Sequence, residues 1–233
     1  MPTVVIVGDH LSHPETHAAT DAALRHAATD LGVDLEAFWM ATETITPDTA
    51  TPLAGVDAML VPPGHQRSPE GAIAAIAVAR NSGVPLLGTC GGMQLLVTEF
   101  ARNVVGAVRA AHAEHDPDAK DPWITRLDVS LAGTSQRVHL LDGTLPAEAY
   151  RSSVTTERYY ASFGVAPGRV GDLIGAGMVV SGTDETGAPH IVEVSGHPFL
   201  IGTLFAPQMT SRHGAPHPLF TGLLAAAATR EAG

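Results

Sequence analysis

Val84-Pro-Leu-Leu-Gly-Thr-Cys-Gly-Gly-Met-Gln-Leu-Leu-Val-Thr-Glu-Phe100 is the stretch on which the fold turns. Val84 to Leu87 is a short apolar run of strand type, and Met93, Leu96, Val97, Phe100 and then Val104 recur at helical spacing. Between them, Gly88 to Gly92 predicts a sharp strand-to-helix turn centred on Cys90. A nucleophile at such a turn is held in strained backbone with little room for neighbouring side chains. Its sulfur is expected to be exposed at a helix N-terminus, where the dipole and unbonded N–H groups lower a thiol pKa. The next N–H, that of Gly91, is then placed to face a developing oxyanion. The competing reading is a small buried cysteine ending a core strand, and the glycine pattern alone tips only slightly toward function.

Working outward, Thr3 to Val7 is a β-branched run that stops at Gly8-Asp-His10 and predicts a buried first strand. Ser12 with Glu15 makes a capping box, Leu24, Ala27, Ala28 and Leu31 form an apolar stripe, and Gly32 closes the helix. Further strands are predicted at Leu35 to Met40 and Ala58 to Val61, and a helix at Pro69 to Asn81 with Gly83 after it. Strand and helix alternating with short connections predict an α/β fold with a doubly wound, mainly parallel sheet. The second half is less regular. His112 to Trp123 reads as a polar loop, while Arg137 to Leu141, Met178 to Ser181, Ile191 to Val194 and Ile201 to Phe205 read as strands, the middle ones as an antiparallel extension. Leu219 to Arg230 is a final helix, and no repeat or linker divides residues 1–233, so one domain is expected.

Composition narrows the partners. The chain has 233 residues, 45% hydrophobic and 16% charged, with 24 acidic and 13 basic side chains giving a net charge of −11. Such a surface repels phosphate backbones and anionic lipid, so neither nucleic acid nor membrane is an expected partner. Cys90 is the single cysteine, which rules out an intramolecular disulfide. The N-terminus lacks the basic start and apolar run of a signal peptide, and a cytoplasmic location is expected. The 12 histidines show no ligand spacing of zinc type, and no metal is expected.

Residues 81–106, around Cys90, closely resemble the nucleophile segment of the glutaminase domain of CTP synthase, a class I glutamine amidotransferase with a flavodoxin-like sheet. Val61-Pro-Pro-Gly-His-Gln-Arg-Ser-Pro-Glu-Gly71 resembles that family's oxyanion-loop segment, one residue shorter, and His197-Pro-Phe-Leu with His217-Pro-Leu-Phe220 resemble its closing region. The resemblance implies Cys90 as the nucleophile, Gly64 and Gly91 as oxyanion-hole donors, and Gln94 and Glu114 as holders of the ligand's amine end. It implies no cofactor and a small-molecule amide or amino-acid-like ligand. A homodimer suits the fold type, although nothing in the sequence specifies an interface. There is no phosphate loop of the Gly-x-x-x-x-Gly-Lys-Ser/Thr kind, so the chain is not expected to make CTP by itself.

Two departures matter. Where the family carries its catalytic His-Pro-Glu, this chain reads Ala206-Pro-Gln208, and an alanine cannot move a proton. Where the family places an arginine for the glutamine α-carboxylate, this chain has Tyr160, which donates one hydrogen bond and forms no charged fork. Arg158 is close enough in sequence to reach over instead. His10, His65 and His115 are candidate replacement bases, each of them more often a structural histidine than a catalyst, with His213 a further neighbour of the altered segment. The expected function is a cysteine-dependent amidase or acyl-transfer enzyme on an amine-bearing amide other than free glutamine. The alternatives are a catalytically inactive small-molecule-binding or regulatory domain, and a thiol-redox protein.

Overall fold

The run Thr3–Val7 forms β1, and the computed structural model, which describes residues 1–10, 13–64 and 66–231, buries Val4 through Val7 completely. A strand apolar on both faces belongs in the interior of a parallel sheet. Helix α1 (Pro14–Leu31) follows and ends on Gly32, whose φ of 65° lets its N–H turn back to the last carbonyls of the helix. Its N-cap is His13, without a side-chain cap; the expected capping box of Ser12 and Glu15 falls on Ser12, which lies outside the described residues. Leu31 is exposed rather than part of the buried stripe. Next come β2 (Glu36–Met40), β3 (Ala58–Val61), α2 (Pro69–Ser82), β4 (Leu86–Thr89) and α3 (Gly91–Phe100), which runs on as a π-helical turn at Ala101–Val105. The expected five-residue turn at 88–92 is tighter than the sequence suggested, with Cys90 alone between β4 and α3.

The stretch read as a polar loop contains β5 (Ala111–His112) and the start of β6 (Pro122–Arg126). Then follow β7 (Ser135–Leu140), α4 (Leu145–Tyr150), β8 (Val154–Arg158), β9 (Phe163–Val165) and α5 (Val170–Gly175). The chain closes with β10 (Met178–Thr183), β11 (Pro189–Val194), β12 (Leu200–Thr203) and α6 (Pro218–Glu231).

The large sheet runs β2-β1-β3-β4-β12-β11-β10-β7-β8. Its first five strands are mutually parallel, and from β12 outward the pairing is antiparallel, the extension expected from the sequence. A second sheet, β5-β6-β9, carries residues close to Cys90. From β1 the chain steps outward to β2 and then returns to β3 on the other side. Right-handed crossovers therefore put α1 and α2 on opposite faces, α1 packing on α6 and α2 on α3. Ligands of such sheets bind beyond the carboxyl ends of the strands, near this reversal. Among the described residues, no helix is long and apolar enough to cross a membrane.

Helix α3 is tied to α2 by a buried ion pair. Arg80 Nε donates to Glu99 Oε1 and Oε2 at 3.1 and 3.0 Å, its terminal nitrogen to Oε1 at 2.8 Å, and Asn103 Nδ2 adds a fourth hydrogen bond at 3.0 Å. With Glu99 only 1% and Arg80 17% exposed, removing one partner strands a buried charge. Arg80→Ala is expected to lower unfolding stability by about 3 kcal/mol. The double replacement Arg80→Met, Glu99→Leu should cost less than Arg80→Ala alone. Urea midpoints measure both, and an undisturbed midpoint in Arg80→Ala would show that the pair holds nothing together.

Candidate active site at Cys90

Cys90 has φ 52° and ψ −109°, and Arg151 is the one other non-glycine residue with positive φ among the described residues. Such backbone costs about 1–3 kcal/mol and persists only where its surroundings impose it. Here they do. Cys90 N–H donates to Thr203 O at 2.7 Å, which ties the turn to β12, and Cys90 O accepts from the N–H groups of Met93 and Gln94 at 3.1 and 3.3 Å. Gly92 lies so close to β3 that a Cβ would sit 2.1 Å from Val61 O, so no side chain fits there.

The loop after β3 brings Gly64 alongside. A Cβ on Gly91 would lie 3.3 Å from Gly64 O and 3.8 Å from Gly64 N, which makes the two backbones direct neighbours. Gly64 itself has φ 128°, a conformation glycine adopts without strain. Asp9, buried at the end of β1, fixes the loop: its carboxylate accepts from Arg67 N at 2.7 Å, Thr42 N at 3.1 Å and Thr42 Oγ1 at 2.7 Å. Thr42 Oγ1 in turn accepts from Ser68 N at 2.9 Å. Asp9, singled out in the sequence only as part of a loop, is thus the anchor of the Gly64 segment.

Cys90, Gly64, Gly91, Gln94, Glu114, His115 and Tyr160 all line one cavity of about 160 Å³, as the sequence reading grouped them. His13 and His112 line it too and were not foreseen. His112 flanks Glu114 in the chain, which was the available signal. Its Nδ1 accepts from Glu114 N at 3.1 Å, so the ring proton belongs on Nε2, which donates to Gln94 Oε1 at 2.9 Å. Gln94 Nε2 donates to Phe163 O at 2.9 Å, which sets the orientation of the amide. Gln94 therefore locks α3 to the small sheet with the same atoms the sequence reading assigned to a ligand. Tyr160 Oη is buried without a hydrogen-bond partner, an arrangement that costs about 1–3 kcal/mol until something pairs with it.

His10 is a correction. It packs on Trp39, ring centroids 4.8 Å apart, and lines a separate groove with Asp21 and Arg25 rather than the Cys90 cavity. His65 lies outside the described residues. His115 stacks on His112 at 4.5 Å, and His213 does not line the cavity. Ala206 is fully buried, its N–H bonded to Arg158 O. Gln208 reaches the underside of the turn, where its Nε2 donates to Thr89 Oγ1 at 3.4 Å while its Oε1 has no partner. Arg158 stands over the Tyr160 ring, 5.5 Å from its centroid.

Among the described residues, His112, Glu114 and His115 each bring one ligand atom within 4.8 Å of the others, a grouping passed over in the search for zinc-type spacing. A cation there would have to displace one of the two bonds of the His112 ring, Nδ1 with Glu114 N–H or Nε2 with Gln94 Oε1.

The expectation of a primed thiolate is also corrected. Burial pushes the Cys90 thiol up to about 11; the Gly91 N–H opposes that and the Glu114 carboxylate adds to it. A helix N-terminus contributes at most about 2 kcal/mol to an anion, whereas desolvation moves a buried group by up to about 3–5 pH units. Burial wins.

The glutamine amidotransferase class-I family model matches residues 15–226. Curated relatives include CTP synthase of Pyrobaculum calidifontis, 39% identical over 237 residues, covering 96% of this chain and 44% of that protein. CTP synthase of Trichormus variabilis is 39% identical over 236 residues, covering 96% and 43%. The chain thus spans less than half the length of these relatives. Among solved structures, the glutaminase domain of Trypanosoma brucei CTPS with bound acivicin matches with a TM-score of 0.91 at 26% identity, covering 98% of this chain and 94% of that one. A glutamine amido transferase from Methylobacillus flagellatus, at 15% identity and a TM-score of 0.57, covering 90% and 71%, shares the fold.

A thiol held near 11 is protonated at neutral pH, and its thiolate fraction grows tenfold per pH unit until about 11. Iodoacetamide should therefore label Cys90 of the folded protein roughly 100-fold more slowly at pH 7 than a small free thiol. The rate should climb through pH 9 without levelling. A plateau below pH 8 would mean that the thiol is ionised by a partner, and would overturn this electrostatic account.

Proposed function

This chain belongs to the glutamine amidotransferase class-I family, and from that premise we propose that it is a cysteine-dependent amide hydrolase or acyl-transfer protein acting on an amine-bearing amide other than free glutamine. The observation that carries the reading is the strained φ of 52° at Cys90 beside the Gly91–Gly64 pair. Glycine would make the same turn without strain, so a cysteine there is explained by its sulfur.

In this reading Cys90 Sγ attacks the amide carbon and the carbonyl oxygen turns toward the Gly64–Gly91 backbone. The sulfur–carbon bond forms, the carbon–nitrogen bond breaks, and the thiol proton leaves with the amine as ammonia. Water or an acceptor amine then cleaves the thioester and restores the thiol. Glu114 pairs with the ligand's ammonium, while Gln94 acts through His112 rather than on the ligand. With alanine at 206 and glutamine at 208, the base and its orienting carboxylate are missing from their usual place, so turnover is slow. His115 is the candidate base that the cavity's lining favours over His10. The synthesis of CTP is not part of the proposal.

A second reading, an inactive binding domain, is favoured by the thiol pKa of about 11. Ammonia release from a panel of small amino amides separates the two. Wild type should turn over slowly, and Cys90→Ala should lose all turnover while keeping ligand-induced thermal stabilisation. Ala206→His with Gln208→Glu should raise the rate by about 100-fold, the range of general-base catalysis. Stabilisation by amides without any turnover in wild type would favour the binding domain; turnover surviving Cys90→Ala would sink the enzyme reading.

A further inference from the structure

We propose that the cavity selects an amide whose other end is an uncharged carbonyl group, the class of glutamine capped at its α-carboxyl as an amide, ester or peptide bond. This rests on the reading of the cavity as an amide site and names the substrate that site takes.

Among the described residues, no arginine or lysine lines the cavity, and Glu114 is the one carboxylate that does. Two guanidinium groups stand behind rings of the cavity wall. Arg158 lies 5.5 Å from the centroid of the Tyr160 ring and Arg126 lies 5.9 Å from that of Phe163, so both engage rings that line the cavity without lining it themselves. The Nε2 proton of His112 is committed to Gln94 Oε1. A ligand carboxylate would therefore enter beside the exposed Glu114 carboxylate, with no arginine or lysine among the lining residues opposite it.

Tyr160 supplies the complement. Its Oη is buried without a partner, in a residue that lines the same cavity as Cys90. A phenol donates one hydrogen bond, and a neutral carbonyl oxygen accepts it with no charge to strip of water. Sites built around a buried donor discriminate against ligands that leave the donor unpaired. Glu114 for the ammonium, Tyr160 for a neutral carbonyl and Cys90 for the scissile amide together describe capped glutamine rather than the free amino acid.

The test is calorimetric binding of L-glutamine, L-glutaminamide and 4-aminobutanamide at pH 6.5, below the ordinary α-amino pKa of about 8, so that all three carry the ammonium. Wild type should bind glutaminamide about ten-fold more tightly than 4-aminobutanamide, which lacks the α-carbonyl, and more tightly still than glutamine. Tyr160→Phe, which keeps the ring, should erase the preference for glutaminamide while leaving 4-aminobutanamide binding unchanged. Tyr160→Arg should move the preference to glutamine. Glutamine binding wild type as tightly as glutaminamide would overturn the inference and leave the amide-site reading standing. If none of the three amides binds, that reading falls and the inference with it.

Discussion

The approach of α3 to β3 is the constraint on which the site depends. The first turn of α3 can sit against Val61 O only because position 92 is glycine. That contact sets where the helix begins, and Cys90 must bridge β4 and α3 in a single residue. The bridge is closed from the other side by Cys90 N–H on Thr203 O, so three neighbouring parallel strands, β3, β4 and β12, jointly fix one backbone conformation. The strain at Cys90 is small beside the burial of this sheet, whose strands β3, β4 and β12 are buried along their whole length. Loop 62–68 needs a separate anchor, and Asp9 provides it from the end of β1.

The same burial that holds the turn works against the sulfur's ionisation. Packing the elbow among strands thins the water around a thiolate, although Cys90 is only partly buried and lines the cavity. The Gly91 N–H returns part of that loss, and Glu114 takes more away. In a site with an imidazole beside the thiol, a proton acceptor offsets the desolvation. With alanine at 206 and the Gln208 amide directed at Thr89, the described residues record no such offset. The balance of these effects, not the fold, separates an acyl-transfer site from a binding site.

The parallel half of the fold was legible because its signals are local and repeated. Buried strands read as short, largely apolar runs, and Gly32 and Gly83 end their helices at the positions the sequence marked. In the other half β7, β10, β11, β12 and α6 were legible too, but β5 and β9 were not, because they have two and three residues, too few for any period to show. Strand β8 hides for a different reason: its Glu157 is buried, with Tyr150 Oη at 2.6 Å and Thr155 Oγ1 at 2.9 Å donating to it, so an acid occupies a core position. At the site, Cys90, Gly64 and Glu114 could be read from sequence context. The thiol's electrostatics could not, since a helix dipole is a local feature and desolvation is tertiary. His10 was misplaced because a residue three positions past the end of β1 does not reveal which crevice its side chain enters.

Glu114 connects the chemistry of binding to that of attack. Its carboxylate raises the Cys90 thiol pKa, and the same carboxylate is the natural partner of a ligand ammonium. An ammonium docked there neutralises the charge that opposes the thiolate, so a cationic ligand and ionisation of Cys90 favour one another. Thermodynamic linkage makes the effect mutual: a deprotonated Cys90 must bind the cationic ligand more tightly by the same factor. The gain is bounded, because burial is the larger cause of the shift and a small ligand deepens burial rather than relieving it. An amine-bearing amide can thus supply part of what a missing imidazole would, while a ligand that brings its own carboxylate cancels the benefit on arrival.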